Sequence, residues 1–331
     1  MELTLQEIMK PSDVSKSTEK RVSKHTGNES VVTSNKAKRI SDNLGFNKKM
    51  LSLQKRGHLN NQLIALVVPH LNNPIYNEII DGAQDTAFGY GYNLVITQSC
   101  LDNNFHKELH RLSSPYIRGL ISLDQSVHIN KLTQFISPSL PVVQCCDYDD
   151  HLPYPAVAID DYKAAKNAVN YLYSIGHRRI AFFNSTCDTV YGAKREEGYR
   201  DGLEQCSLPY TDDLVFHLDK TDYNIAFTMA LKMFSSPNRP DAIFTVSDIY
   251  AAAVIHAAKT VGLDVPKDVA IIGFDNTDIS VITNPPITTI SQPLYAIGST
   301  ACHILVDLIQ GKAVVSKKLL MQTDLIIRSS T

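Results

Sequence analysis

Three polar residues in the second half of the chain stand where a folded sheet could present them to one ligand. Arg195, Asp248 and Asp275 each follow a short apolar run or begin the helical stretch after it. A guanidinium and two carboxylates can hydrogen-bond a polyhydroxylated or sugar-bearing ligand, and Tyr76 could stack on its ring. We predict that these four side chains share a cleft, although each alone could also form a surface salt bridge or contact.

The sequence lacks the usual signatures of catalysis. It contains no GxxxxGK[ST] phosphate loop, no GxSxG nucleophile elbow and no HExxH helix. Gly89-Tyr90-Gly91 lacks the third glycine of a dinucleotide fingerprint, and His177 stands at a helix-to-strand turn where capping is commoner than catalysis. We therefore expect no enzyme, no cofactor and no catalytic metal. An α/β enzyme acting on nucleosides or sugars would need a nucleophile or an acid/base pair at the cleft, and we identify neither in the sequence.

The cysteines and the apolar runs indicate the compartment. No CxxC pair and no paired Cys/His ligand spacing occurs, which predicts reduced thiols rather than disulfides or a zinc site. The apolar run at Leu63–Val68 is six residues long, and a membrane span needs roughly 18 or more. The N-terminus also lacks the apolar stretch of a secretory signal. We expect a cytoplasmic protein.

Charge is distributed unequally along the 331 residues. Residues 1–57 carry twelve Lys/Arg against six Asp/Glu (net +6), whereas the rest carries twenty against twenty-eight (net −8). A basic segment can neutralise phosphates and so supply sequence-independent affinity for a polyanion. This pattern favours a small nucleic-acid-binding module joined to a larger body with another task.

The elements that would position these residues follow from hydrophobic periodicity. The body alternates short apolar runs with longer helical stretches, which is typical of βαβ units on parallel sheets. It forms two series, the second of which begins after Asp160. The predicted strands lie near 63–68, 92–97, 119–123, 142–145, 179–183, 213–217, 242–246 and 269–273. The predicted helices lie near 76–88, 105–112, 129–136, 163–174, 194–205, 226–234, 249–261 and 294–309, and a strand near 319–327 ends the chain.

The N-terminal segment predicts short helices over Leu5–Lys10, Lys16–Ser23 and Ser34–Leu44. Ser15 could cap the second helix, and the intervening Pro11-Ser12-Asp13-Val14 is rich in turn-forming residues. The pattern is helix, turn, helix. The polar and basic residues 50–61 that follow are typical of a linker.

Several short motifs occur in both parts of the chain. The N-terminal segment contains Val14-Ser15-Lys16-Ser17-Thr18, Arg21-Val22, Thr33 and Leu44-Gly45-Phe46. The body contains Asn73-Pro74-Ile75-Tyr76, Gly176-His177-Arg178-Arg179-Ile180-Ala181, Ser247-Asp248, Gly273-Phe274-Asp275-Asn276 and Gln292-Pro293. With these motifs the chain resembles the lactose/galactose repressor family of bacterial transcription regulators. The resemblance implies an α/β fold: a helix-turn-helix headpiece, then two doubly wound parallel-sheet lobes of the periplasmic-binding-protein type. It divides the chain into a DNA-binding headpiece (1–49), a hinge (50–61) and an effector-binding and dimerisation domain (62–331).

The resemblance also implies how DNA is recognised. A homodimer would grip a roughly palindromic operator with its paired headpieces. Lys16, Ser17 and Arg21 would read base edges in the major groove, while Ser15 and Thr18 would hold phosphates. In the hinge, Lys55 stands where the family usually has an apolar wedge, and Leu53 could substitute for it.

The implied effector site overlaps the cleft predicted from the residues alone. The resemblance places the effector contacts on Tyr76, Arg195, Ser247, Asp248, Asp275 and Gln292. Within the family, the chain looks most like the members that respond to cytidine and regulate nucleoside uptake and catabolism. This implies a nucleoside effector, and the cyclic-AMP receptor protein as a partner on DNA.

Three alternatives stay open at this point. The effector could be a sugar or a purine instead of cytidine, or the headpiece could have lost its DNA affinity and left a two-lobed ligand-binding protein. A periplasmic sugar receptor would have a similar body. The missing export signal and the helix-turn-helix pattern argue against that receptor.

Overall fold

The computed structural model describes residues 62–99, 116–124, 139–219, 221–313 and 317–331. The residues described from Gln62 onward belong to one compact unit that ends at Thr331. Several predictions lie outside the described residues: the helices at 105–112 and 129–136, and the headpiece and hinge with Ser15, Lys16, Ser17, Thr18, Arg21, Leu53 and Lys55.

From residue 156 to residue 309, the described strands and helices alternate, as the hydrophobic pattern predicts. The first are β1 (Leu63–Val68), α1 (Ile75–Gly89), β2 (Asn93–Gln98), β3 (Ile117–Ser122), β4 (Val142–Cys145) and β5 (Ala156–Ile159). Next come α2 (Asp161–Ser174), β6 (Ile180–Ser185), α3 (Val190–Gln205), a 3₁₀ turn (Asp212–Leu214), β7 (Val215–Leu218), α4 (Tyr223–Phe234), β8 (Ala242–Thr245) and α5 (Asp248–Thr260). The last are β9 (Ala270–Asp275), α6 (Asp278–Ile282), β10 (Thr288–Ser291), α7 (Leu294–Ile309), β11 (Lys318–Met321) and β12 (Asp324–Ile326).

The strands form two six-stranded sheets. We call the first sheet with its helices the first lobe, and the second sheet with its helices the second lobe. The strand order is β11-β5-β4-β3-β1-β2 in the first sheet and β12-β10-β9-β8-β6-β7 in the second. All neighbouring pairs are parallel except β10 and β12. This confirms the prediction of an α/β fold with two parallel-sheet lobes.

Buried strands and capped helices build the second lobe. All six residues of β6 and of β9 are buried, as expected of parallel strands covered on both faces. Thr189 caps α3 by accepting a hydrogen bond from the Gly192 amide at 3.0 Å, and Asp160 caps α2 in the same way through Lys163. These caps satisfy amides that have no partner within their own helix. They also set where each helix begins relative to the strand before it.

Within the described residues, the chain passes between the two sheets three times. It crosses after β5, again between β10 and α7, and finally between β11 and β12. Helix α7 belongs to the first lobe because it packs on α1 and on β3 to β5. The single strand predicted at 319–327 was therefore wrong. Gln322 and Thr323 separate two strands that join different sheets.

The other differences from the predicted elements are small. The strands β5 and β10 were not predicted. Only one of the four residues of β10 is apolar, so β10 shows no apolar run. The strand expected at 213–217 begins with the 3₁₀ turn and continues as β7. None of the helices among the described residues is long and apolar enough to cross a membrane.

The contact between α1 and α7 predicts a stability effect. A Cβ added at Gly82 in α1 would collide with the Tyr295 carbonyl of α7, which is backbone and cannot move aside easily. We expect Gly82→Ala to lower the free energy of unfolding by about 1–3 kcal/mol, the usual cost of overpacking. Gly89→Ala is the matched control, since nothing lies near the added methyl at the end of the same helix. Urea denaturation of both variants would measure this, and equal midpoints would contradict the close helix contact.

Candidate functional site

A cavity lies where the carboxyl ends of strands from both sheets meet, which is where ligands bind in open α/β folds. Segments after β1, β3, β4 and β5 contribute from the first lobe, and segments after β6, β7, β8, β9 and β10 from the second. The lining residues are Asn73, Ile75, Tyr76, Leu123, Cys146, Asp147, Ile159, Asp161, Tyr191, Arg195, Thr221, Val246, Ser247, Asp275 and Gln292. The wall therefore combines three carboxyl groups, one guanidinium, neutral polar side chains and two tyrosine rings.

Arg195 holds its guanidinium in the cavity wall by three contacts. Its Nε donates to Asp161 Oδ1 at 2.8 Å, and its Nη1 donates to the Val246 carbonyl at 2.8 Å. The guanidinium carbon also lies 3.5 Å from the centre of the Phe274 ring, in cation–π geometry. Arg195 is only 5% exposed, so its charge is fixed in position by these contacts.

Asp275 reaches the cavity because β9 ends in an unusual backbone turn. Its φ is 104° and that of Asn276 is 61°, both in the region that favours glycine. The Asp275 carboxylate accepts a hydrogen bond from Gln292 Nε2 at 2.7 Å. Burial raises the pKa of Asp275 well above its usual range, while the Arg195 charge opposes this. Two of the six residues predicted as effector contacts, Asp275 and Gln292, thus form one hydrogen-bonded pair.

Asp147 follows β4 and is almost completely buried. Its Oδ1 accepts a hydrogen bond from the Tyr148 amide at 3.2 Å, but its Oδ2 has no hydrogen-bond partner among the described residues. Burial raises the pKa of Asp147 to about 7, and the Asp161 charge adds to the effect. A buried oxygen without a partner is costly, so a ligand donor placed there would stabilise the site.

The balance of charge in the cavity favours a ligand with hydrogen-bond donors. Asp147, Asp161 and Asp275 share the wall with a single guanidinium, that of Arg195. Burial raises the pKa of Asp161 as well, against the pull of Arg195. Tyr76 adds a ring at the first lobe, and burial raises the pKa of its hydroxyl far above its usual value. The hydroxyl is therefore neutral and can donate or accept a hydrogen bond.

The structure brings together five of the six residues predicted to contact an effector. Tyr76, Arg195, Ser247, Asp275 and Gln292 all line the cavity. Ser247 also caps α5 by accepting from the Tyr250 amide at 3.3 Å. Its side chain thus has a structural role beside its place in the wall.

Asp248 is the exception, because the structure does not place it in the cavity wall with the other five. It is not among the lining residues. Its Oδ1 accepts from the Thr289 hydroxyl at 2.6 Å, and its Oδ2 accepts from the Thr277 amide at 2.7 Å and the Thr277 hydroxyl at 2.9 Å. The carboxylate is therefore occupied in joining β10 to the loop after β9. It supports the loop that carries Asp275.

Sequence reasoning missed several residues of the wall, and three of these are acidic or aromatic. Asp147 follows a correctly predicted strand, so its position after β4 was a usable signal, the same one that identified Asp275. Asp161 follows β5, which was not predicted. Tyr191 lies in the first turn of α3, ahead of the start predicted at residue 194, and only the folded helix brings it to the cavity.

Comparisons with known proteins agree on one family. A periplasmic binding protein-like domain matches residues 169–331. Catabolite control protein A of Priestia megaterium is 30% identical over 337 residues, covering 100% of both chains. The HTH-type transcriptional repressor CytR of Escherichia coli (strain K12) is 30% identical over 330 residues, covering 99% of this chain and 96% of its own. The structure of a transcriptional regulator CelR–cellobiose complex superposes with a TM-score of 0.74 at 25% identity, covering 100% of both chains.

The two-lobed fold and the full-length similarity together define a class of transcription factor. The chain belongs to the LacI family of transcriptional regulators. This confirms the resemblance stated from the sequence, and the prediction that the chain is a regulator and not an enzyme.

The raised pKa of Asp147 predicts how stability depends on pH. Because the folded carboxyl holds its proton up to about pH 7, the folded state binds more protons than the unfolded state between about pH 4 and 7. Stability should therefore fall as pH rises through that window. Asp147→Asn should remove part of this fall, on the order of 3 kcal/mol. The exposed Asp278→Asn serves as the control. Urea denaturation across the window measures the effect, and parallel pH curves for all three proteins would contradict it.

Proposed function

We propose that this protein is a transcriptional repressor that binds operator DNA through its N-terminal segment and a small effector through the cavity between its lobes. The cavity carries the proposal, because its buried and incompletely paired polar groups suit a ligand better than a purely structural interface. Membership of a family of transcriptional regulators supports the role of the basic N-terminal segment. Such a protein acts in the cytoplasm, on the DNA.

The DNA-binding part of the proposal rests on the charge and the motifs of residues 1–61. The net charge of +6 in residues 1–57 provides affinity for phosphates, and the predicted recognition helix begins at Lys16. Lys16, Ser17 and Arg21 read bases, with Ser15 and Thr18 on phosphates and Leu53 and Lys55 in the hinge. A homodimer supplies two such headpieces to a palindromic operator.

The effector part of the proposal names a nucleoside with an amino group on its base, such as cytidine. Tyr76 stacks on the base, and Arg195 and Asp275 bind the ribose hydroxyls. The exocyclic amine donates to Asp147 Oδ2, the buried oxygen that has no partner among the described residues. The similarity to CytR at 30% identity supports this choice of effector class. The cyclic-AMP receptor protein is the second protein expected on the same DNA.

Binding at the cavity can control DNA affinity because both lobes contribute to its wall. Three chain crossings join the lobes, so a ligand that contacts both sides shifts the relative orientation that they prefer. If DNA binding by the headpieces requires one orientation of the lobes, a ligand that favours one orientation changes the DNA affinity. DNA then changes the affinity for the ligand by the same factor.

One observation favours a second effector class. The structurally similar CelR was solved as a complex with cellobiose, and three carboxyl groups with one guanidinium also suit the hydroxyls of a sugar. Cellobiose and a monosaccharide therefore belong in any ligand screen. A sugar effector would leave the proposed DNA-binding role unchanged.

Substitution of Arg21 tests DNA binding. Arg21→Ala removes a donor to base edges, which typically contributes about 1–3 kcal/mol of discrimination. We expect operator affinity to fall about 5- to 150-fold in gel-shift titrations with fragments selected from genomic DNA. Arg239→Ala removes the same charge from an exposed loop of the body and should leave affinity unchanged. Equal affinities for the two variants would contradict the assigned role of Arg21.

A pair of nucleosides tests the effector. At pH 8, where the Asp147 carboxylate is mostly ionised, cytidine should raise the melting temperature of the full chain, and uridine should raise it less because it offers an oxygen in place of the amine. Indistinguishable shifts for the two nucleosides would contradict the contact with Asp147. A shift in melting temperature with cellobiose alone would replace the nucleoside with a sugar as the effector.

Substitution of Asp275 tests the link between the effector and DNA. Asp275→Asn should abolish release of DNA by cytidine and keep DNA affinity, while Asp278→Asn should behave as the parent.

A further inference from the structure

A cluster of potential metal ligands lies on the second lobe, outside the cavity wall. Cys187, Glu196 and His217 each offer one ligand atom, and these atoms lie within 4.8 Å of one another. The Cys187 Sγ is 3.2 Å from Glu196 Oε2 and 3.5 Å from His217 Nε2. His217 Nε2 is 2.5 Å from the same carboxylate oxygen. None of the three residues lines the cavity.

Three different elements bring these side chains together. Cys187 lies two residues past the end of β6, Glu196 lies on α3, and His217 lies on β7. His217 stands opposite Asn184 in the parallel pairing of β6 with β7. The residues are therefore adjacent only in the folded lobe, which explains why ligand spacing in the sequence predicted no metal site.

We propose that Cys187, Glu196 and His217 form a binding site for a divalent transition-metal cation of the zinc type. Sulfur, nitrogen and a single carboxylate oxygen are the ligands that Zn²⁺ and Co²⁺ take in proteins, whereas Mg²⁺ and Ca²⁺ prefer oxygen alone. Three protein ligands leave a fourth tetrahedral position for water or another donor. The set is compact enough for a single ion.

The geometry requires little movement to accept the ion. Zn–S near 2.3 Å with Zn–N and Zn–O near 2.0–2.1 Å places tetrahedral ligand atoms roughly 3.3–3.6 Å apart. The two distances to the Cys187 sulfur are already close to this range, at 3.2 and 3.5 Å. Only the contact between His217 and Glu196 has to lengthen, by less than about 1 Å. His217 and Cys187 are exposed side chains and can adjust.

The surroundings of the carboxylate support the assignment. The fully buried Asn184 donates to Glu196 Oε2 at 3.2 Å, and Tyr210 donates to the other oxygen, Oε1, at 3.4 Å. Partners of this kind orient a ligating carboxylate. Arg200 also approaches Oε1, at 3.7 Å, and so leaves Oε2 to face the cluster. A thiolate and a carboxylate would together balance the charge of a divalent cation.

The thiol must lose its proton when the cation binds. Burial and the Glu196 charge raise the pKa of Cys187 to about 11 in the metal-free protein. Zn²⁺ displaces the proton from cysteine ligands, so uptake releases a proton to the solvent and forms a metal–sulfur bond with no change in oxidation state. A bound cation would cross-link the end of β6, α3 and β7.

Titration with Co²⁺ tests the site. The full chain, without a polyhistidine tag, is stripped with a chelator and kept reduced with a phosphine. We expect one equivalent of Co²⁺ to produce a thiolate-to-cobalt charge-transfer band and the visible bands of a four-coordinate ion, and Zn²⁺ to displace it. Zn²⁺ should also raise the melting temperature of the parent protein. Absence of the charge-transfer band at saturating Co²⁺ would overturn the proposal.

Three variants identify the ligands. Cys187→Ser should lose the charge-transfer band, and His217→Gln should lose binding of the ion at one equivalent. Cys206→Ser removes a different thiol, a partly buried one at the C-cap of α3, and should keep the parent spectrum. Circular dichroism without metal checks that each variant is folded. A band that persists in Cys187→Ser, or that disappears in Cys206→Ser, would place the metal elsewhere and overturn the assignment.

Discussion

The cavity depends on the contacts that the Arg195 guanidinium makes. The guanidinium bonds to Asp161 at the first crossing between the lobes and to the Val246 carbonyl after β8, and it lies on the Phe274 ring of β9. Removing one partner of a buried ion pair leaves an uncompensated charge, at a cost of about 3–5 kcal/mol. One side chain of α3 therefore joins this helix to three other segments of the chain. The polar wall of the cavity includes this side chain.

Helix α3, which carries Arg195, also links the cavity to the rest of the second lobe. Arg195 points to the cavity and the next residue, Glu196, turns towards β7, because successive helical residues lie about 100° apart. Three carboxyl groups share the cavity wall with Arg195, and burial raises the pKa values of Asp147 and Asp275. A ligand with several donors relieves that crowding. Ligand recognition and lobe stability thus depend on the same buried charges.

Much of the fold could be predicted from local patterns. Short apolar runs and amphipathic stretches indicate β6, β9 and α7 within one or two residues, because burial of a strand or of one helix face requires that periodicity. Placement of polar residues after strand ends likewise located Arg195 and Asp275, since parallel strands share one ligand-facing edge. The family motifs added Ser247 and Gln292, which also line the cavity.

The sequence by itself thus determined the alternation of elements and the two parallel sheets, which follow from local hydrophobic periodicity. Strand ends and family motifs added five of the residues that line the cleft. Only the tertiary structure decided which polar atoms contact one another. Asp248 occupies its carboxylate on Thr277 and Thr289, and Cys187 meets His217 through strand register. The final predicted strand likewise divides between two sheets. Such outcomes depend on contacts between residues distant in the chain, and no local pattern encodes them.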